Sequence, residues 1–171
     1  VRSIDGGITI IGQGNGTNNE NHGINIFENG LVESTGDGAI SFTGTGANGF
    51  RENIGILLDG VAPRVLSYNG AVTFNGVGGN ATDNFNSGVA LEEGATIASS
   101  GTGAITLNGT GVNGFSGNNG VVIEGTTTSV ASNGGGISMT GTGGTGGGNL
   151  NVGIRVDGAT ILDLSSTGSI S

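Results

Sequence analysis

The chain has 171 residues, 40 of them glycine and one proline, which excludes collagen, where glycine takes every third position and proline is abundant. A helical protein is excluded as well, because glycine costs roughly 1 kcal/mol per helical position and Thr, Asn and Ser are poor helix formers. With 13 acidic residues against four arginines and no lysine, the formal charge is -9, and no basic patch exists to engage nucleic acid or an anionic membrane.

A core is still affordable in composition, since Ile, Val, Leu and Phe supply 44 residues. The absence of cysteine removes disulfides and thiolate chemistry and is compatible with secretion. No apolar run reaches the length of a membrane span, and Val1 to Gly7 do not resemble a signal peptide, so a targeting segment of a secreted protein would lie outside this chain.

In chain order, residues 1–6 align with residues 65–70, so the chain opens inside a repeating unit. The first strand follows as Gly6-Gly7-Ile8-Thr9-Ile10, then a ten- or eleven-residue arc, then a second strand, Gly23-Ile24-Asn25-Ile26. A looser block rich in Thr, Ser and single aliphatics closes each unit, as in Ala95-Thr96-Ile97-Ala98-Ser99. Period-two alternation bounded by glycine is a strand signal.

The first strand recurs as Gly38-Ala39-Ile40-Ser41-Phe42, Gly70-Ala71-Val72-Thr73-Phe74, Gly103-Ala104-Ile105-Thr106-Leu107 and Gly135-Gly136-Ile137-Ser138-Met139. The second recurs from Gly55, Gly88, Gly120 and Gly153. Unit starts near 6, 38, 70, 103 and 135, with a partial sixth from Gly168, are separated by 32 or 33 residues. Three short strands per unit, with no room for a crossover helix, predict an all-β fold: one parallel β-helix or β-solenoid segment over 1–171 with about five coils.

Stacked coils should align inward side chains in files. The first strand supplies Ile8/Ile40/Val72/Ile105/Ile137 and Ile10/Phe42/Phe74/Leu107/Met139. The second supplies Ile24/Ile56/Val89/Val121/Ile154 and Ile26/Leu58/Leu91/Ile123/Val156. Glycine is expected at corners. Four arcs carry one large apolar residue, Phe50, Phe85, Phe115 or Leu150, expected to plug the arc onto the rod; a carbohydrate-stacking role is the sharper alternative.

The chemistry-bearing pattern is acidic. Just after the second strand come Glu28, Asp59, Glu92 or Glu93, Glu124 and Asp157, one acid near the same corner of every coil. Carboxylates one coil apart repel unless neutralised, and calcium is the extracellular counterion such a weak site would take. The plainer reading is a solvated acidic edge that keeps rods apart.

Outward Thr9, Ser41, Thr73, Thr106 and Ser138 form a polar file beside Thr43, Asn75, Asn108 and Thr140, so an ice-binding face is a remote reading. Arg2, Arg51, Arg64 and Arg155 fall at different phases of the repeat, and His22, the lone histidine, is expected on the surface at the end of an arc. No catalytic set or cofactor motif is present in the sequence, and the chain is read as non-enzymatic.

The repeat at residues 103–135, Gly-Ala-Ile-Thr-Leu-Asn-Gly-Thr-Gly followed by Asn-Asn-Gly-Val-Val-Ile and Thr-Ser-Val-Ala-Ser-Asn-Gly-Gly, resembles the long repeats of filamentous-haemagglutinin-like bacterial exoproteins. The resemblance implies a right-handed β-helical shaft, secreted to the cell surface and used for adhesion or biofilm matrix building. A shaft whose partners are neighbouring coils and a host or matrix surface is the leading expectation. The alternative is a filament whose identical subunits stack end to end, and a polysaccharide-binding solenoid is more remote.

Overall fold

The computed structural model describes residues 1–164 and 169–171, and Gly168, where the sixth unit was expected to start, lies outside the described residues. Strand β1 (Arg2–Ser3) precedes the first coil, which holds β2 (Ile8–Gln13), β3 (Ile24–Phe27) and β4 (Leu31–Ser34). The second holds β5 (Ile40–Thr45), β6 (Ile56–Asp59) and β7 (Arg64–Ser67), and the third β8 (Val72–Val77), β9 (Val89–Leu91) and β10 (Thr96–Ser99). The fourth holds β11 (Ile105–Thr110), β12 (Val121–Glu124) and β13 (Ser129–Ser132). The fifth holds β14 (Ile137–Thr142), β15 (Ile154–Asp157) and β16 (Thr160–Asp163).

Each strand pairs in parallel with its equivalents in the coils on either side. The result is three sheets, ordered β14-β11-β8-β5-β2, β15-β12-β9-β6-β3 and β1-β4-β7-β10-β13-β16. The chain is a parallel β-solenoid of about five coils with three strands per coil. Ile170 forms a parallel bridge to Ile137, so residues past 168 begin to stack on β14.

The register reproduces all four expected files, residue for residue. In the middle coils these side chains are fully buried, and Phe42 stacks on Phe74 with ring centroids 4.6 Å apart. Burial fades at the edges: Ile10 and Met139 are partly buried, and Ile154 and Val156 are 40% and 46% exposed because β15 has a neighbour on one side only.

The third block, loose in sequence, is as regular as the others. Val32, Val65, Ile97 and Val130 point inward from it, joined by buried serines Ser34, Ser67, Ser99 and Ser132. Those hydroxyls satisfy the corner backbone: Ser99 Oγ donates to Tyr68 O at 3.2 Å, and Ser132 Oγ accepts from Gly135 N–H at 3.2 Å. Small polar side chains therefore fit where an aliphatic would leave a carbonyl or amide without a partner.

Candidate functional site

The arcs between first and second strands build the surface relief. Each closes at a neck where a glycine of the first strand lies against the carbonyl of the glycine opening the second. A Cβ built on Gly12, Gly44, Gly76, Gly109 or Gly141 would fall 1.9 to 2.2 Å from the carbonyl oxygen of Gly23, Gly55, Gly88, Gly120 or Gly153. Such contact is available to glycine alone. Beyond the neck, the outgoing limb of one arc bonds the returning limb of the preceding one, as in Ala47 N to Asn21 O at 2.9 Å and Gly144 N to Asn118 O at 2.7 Å. The arcs thus stack, coil on coil, into a ridge.

An asparagine file locks that ridge. Asn21, Asn53, Asn86, Asn118 and Asn151 each sit two residues before the glycine that opens the second strand. In every step the side-chain carbonyl of one asparagine accepts from both the backbone N–H and the amide of its predecessor, for example Asn86 N and Nδ2 to Asn118 Oδ1 at 3.1 and 3.0 Å. Asn53, Asn86 and Asn118 are wholly buried, so the file substitutes a hydrogen-bonded ladder for an apolar one.

The expected plugs are not plugs. Phe50, Phe85, Phe115 and Leu150 are all about half exposed. The arcs are held by backbone bonds and the asparagine file, which leaves these side chains outside. Phe85 and Leu150 occupy a left-handed position shared with Glu20, Glu52 and Gly117, one in each coil, with φ between 56° and 69°.

The outer face of the second sheet is partly covered by this ridge. Leu57, Ala90 and Val122, side by side in register, pack with Ile54 into a small apolar cluster outside the main core. Between that floor and the acidic corner runs a groove of about 640 Å³, walled by Glu20, Glu52 and Phe85 on the ridge and by Phe27, Asp59, Glu92 and Glu124 at the corner.

The corner itself resolves into two adjacent files. Asp59, Glu92, Glu124 and Asp157 share one, and its first member is Phe27, not Glu28. Glu28 lies one residue further on, with Gly60, Glu93, Gly125 and Gly158, all of which have positive φ. The corner turns through the left-handed region in every coil, and two glutamates stand where glycine is the usual occupant. Among the described residues, no three of His, Asp or Glu converge as metal ligands do.

Charge is unevenly compensated. Arg155 pairs with Glu124 at 2.7 Å and Asp157 at 2.8 Å, and Arg51 lies 3.5 Å from Glu52. Among the described residues no arginine reaches Asp59 or Glu92. Burial, and then the carboxylates of Glu124, Asp59, Glu93 and Glu52, push the Glu92 carboxyl up to about 7. His22 is half-buried and faces the groove, with its Nδ1 accepting from Ile54 N–H at 3.3 Å. Burial lowers its pKa against the opposing pull of Glu20 and Asp59. The neutral ring is the form that can accept that bond.

A raised acid pKa contributes stability below the unfolded value and loses it as pH climbs through the folded one. For Glu92 that window runs from 4.5 to about 7. Glu92→Gln should therefore raise the melting temperature at pH 8 by about 4–8 °C, or about 2 kcal/mol after allowance for solvent screening, and change it little at pH 4.5. Thermal unfolding at the two pH values checks this, and an equal gain at both would show that charge at position 92 is not the cause.

The first-strand outer face carries the expected polar files, Thr9/Ser41/Thr73/Thr106/Ser138 and Ile11/Thr43/Asn75/Asn108/Thr140. Asn108 Nδ2 donates to Asn75 Oδ1 at 2.9 Å, so this face also uses an asparagine step. No protein family, curated protein or solved structure matches this chain.

Proposed function

We propose that the chain is a stretch of a non-enzymatic extracellular shaft whose work is to hold other parts of a large surface exoprotein away from the cell. The observation that carries this reading is the unbroken register. Residues stack one above the other across every coil in all three sheets, so each added coil lengthens the rod by about 4.8 Å without altering its cross-section. Every junction between coils is spanned by three parallel strand pairs and by the bonded arcs, and these share an axial load. The acidic surplus favours separate rods through mutual repulsion. The resemblance of residues 103–135 to filamentous-haemagglutinin-like repeats supports the same reading.

Antibodies raised against this segment should label intact, unpermeabilised source cells and detect a polypeptide far larger than 16.5 kDa. A native chain of 16.5 kDa at the surface would replace the shaft with a self-stacking filament subunit. Labelling confined to the cell interior would remove both.

A further inference from the structure

The groove between the arc ridge and the acidic corner has a composition that the shaft role does not require. Its floor is apolar at Leu57 and Ile54, each 5% exposed, and continues into the exposed Asn25 of the preceding coil, while among the described residues Asp59 and Glu92 on one side have no arginine partner. Phe27 and Phe85 stand at its rim with about half their surface open to solvent. Lining residues come from four successive coils, so the groove extends along the rod for three coil spacings, about 14 Å.

We propose that this groove binds a linear organic polycation of the alkyl polyamine class, lying along the rod axis with its methylene chain on the Leu57–Ile54 floor and its ammonium groups against Asp59 and Glu92. Charge complementarity selects a cation, and the arrangement of that charge selects its shape. The carboxylates are strung one per coil instead of converging on a point, and among the described residues no three acidic or imidazole groups meet as a metal site demands. A compact divalent ion would satisfy one step of such a file.

An alkyl chain with an ammonium group every three or four carbons repeats its charge about 5–6 Å apart, close to the strand spacing of about 4.8 Å. The apolar floor covers the methylenes between those charges, and the two rim phenylalanines offer ring faces to a cation. A second copy of this chain is a poor occupant, because at -9 it carries the same sign as the groove.

Calorimetric titration with spermidine at low ionic strength and pH 8, where the Glu92 carboxyl is ionised, tests the proposal. One molecule per chain should bind saturably, and affinity should fall as salt is raised to about 0.15 M. The pair Asp59→Asn/Glu92→Gln should weaken binding by about tenfold or more, and Phe85→Ala by severalfold. Asp5→Asn/Asp37→Asn removes the same formal charge at an exposed corner outside the groove and should leave binding within about twofold of the parent. Circular dichroism on each variant confirms the fold, and Glu92→Gln alone serves if the pair fails to fold. Unsaturable binding, equal loss in the two acid pairs, or displacement of spermidine by calcium at matched charge would overturn the proposal, the last by making the groove a metal site.

Discussion

Gly109→Ala should lower the melting temperature by about 10 °C or prevent folding, a loss of about 3 kcal/mol or more. The added Cβ would lie 1.9 Å from the carbonyl oxygen of Gly120, 2.5 Å from its carbon and 2.9 Å from Val121 Cγ2. Two of those atoms are backbone in the middle of the stack, where neither partner can shift without breaking register in the neighbouring coils. Gly147→Ala, in the arc of the next coil, is the contrasting case. Nothing lies within 4 Å of a Cβ there, so alanine should be neutral or stabilise by up to about 1 kcal/mol through a less flexible unfolded chain. Thermal unfolding of the two variants gives the comparison. Similar effects at both positions would mean that glycine is present for chain flexibility and not for the closure of the neck.

Asn86→Ala should cost about 3 kcal/mol. Asn86 Oδ1 accepts from Asn53 N at 3.1 Å and from Asn53 Nδ2 at 3.4 Å, while its own amide donates to Asp83 O at 2.9 Å and Asn118 Oδ1 at 3.0 Å. Alanine would strand donors and acceptors in a place with no solvent to receive them, and Asn86 is 0% exposed. Asn86→Asp should be no better than alanine, since a carboxylate cannot donate to Asn118 and would carry charge into the ridge. Asn21→Ala should cost about 1 kcal/mol, because that end of the file is partly open to water. Combining Asn86→Ala with Asn118→Ala should cost less than the sum of the single changes, as the two share a bond. Denaturant titration resolves these differences, and strict additivity would show that the ladder is not a connected unit.

The strands and their inward files were legible because a solenoid repeats one physical problem in every coil. Ile40, Val72 and Ile105 meet the same neighbours, so like residues recur at a fixed period. The third strand was harder to see. Its inward positions alternate an aliphatic with a serine that bonds the corner, so its hydropathy pattern is half hidden.

The asparagine file recurs just as regularly, at 21, 53, 86, 118 and 151, and its period could have exposed it. Asparagine reads as a loop residue unless hydrogen-bonded burial is considered. The exposure of Phe50, Phe85 and Phe115 reversed the rule that large apolar residues pack inward, because the arc was already closed by backbone contact at its glycines. The one-residue offset that puts Phe27 in line with Asp59, and Glu28 in the turn beside it, depends on where the chain enters positive φ. Glycine signals that conformation in three coils; Glu28 and Glu93 conceal it in the other two. The groove follows from the ridge and that corner together, so no single segment of sequence could reveal it.

Removal of one whole coil tests the central claim that coils are interchangeable length units. Deleting residues 71–103 joins Gly70 to Ala104, the same Gly-Ala junction that the three middle coils make with their first strands. Small-angle X-ray scattering of this shortened chain should give an unchanged cross-sectional radius with a rod about 4.8 Å shorter, and a folded profile. A changed cross-section, or the scattering of an unfolded chain, would contradict the account.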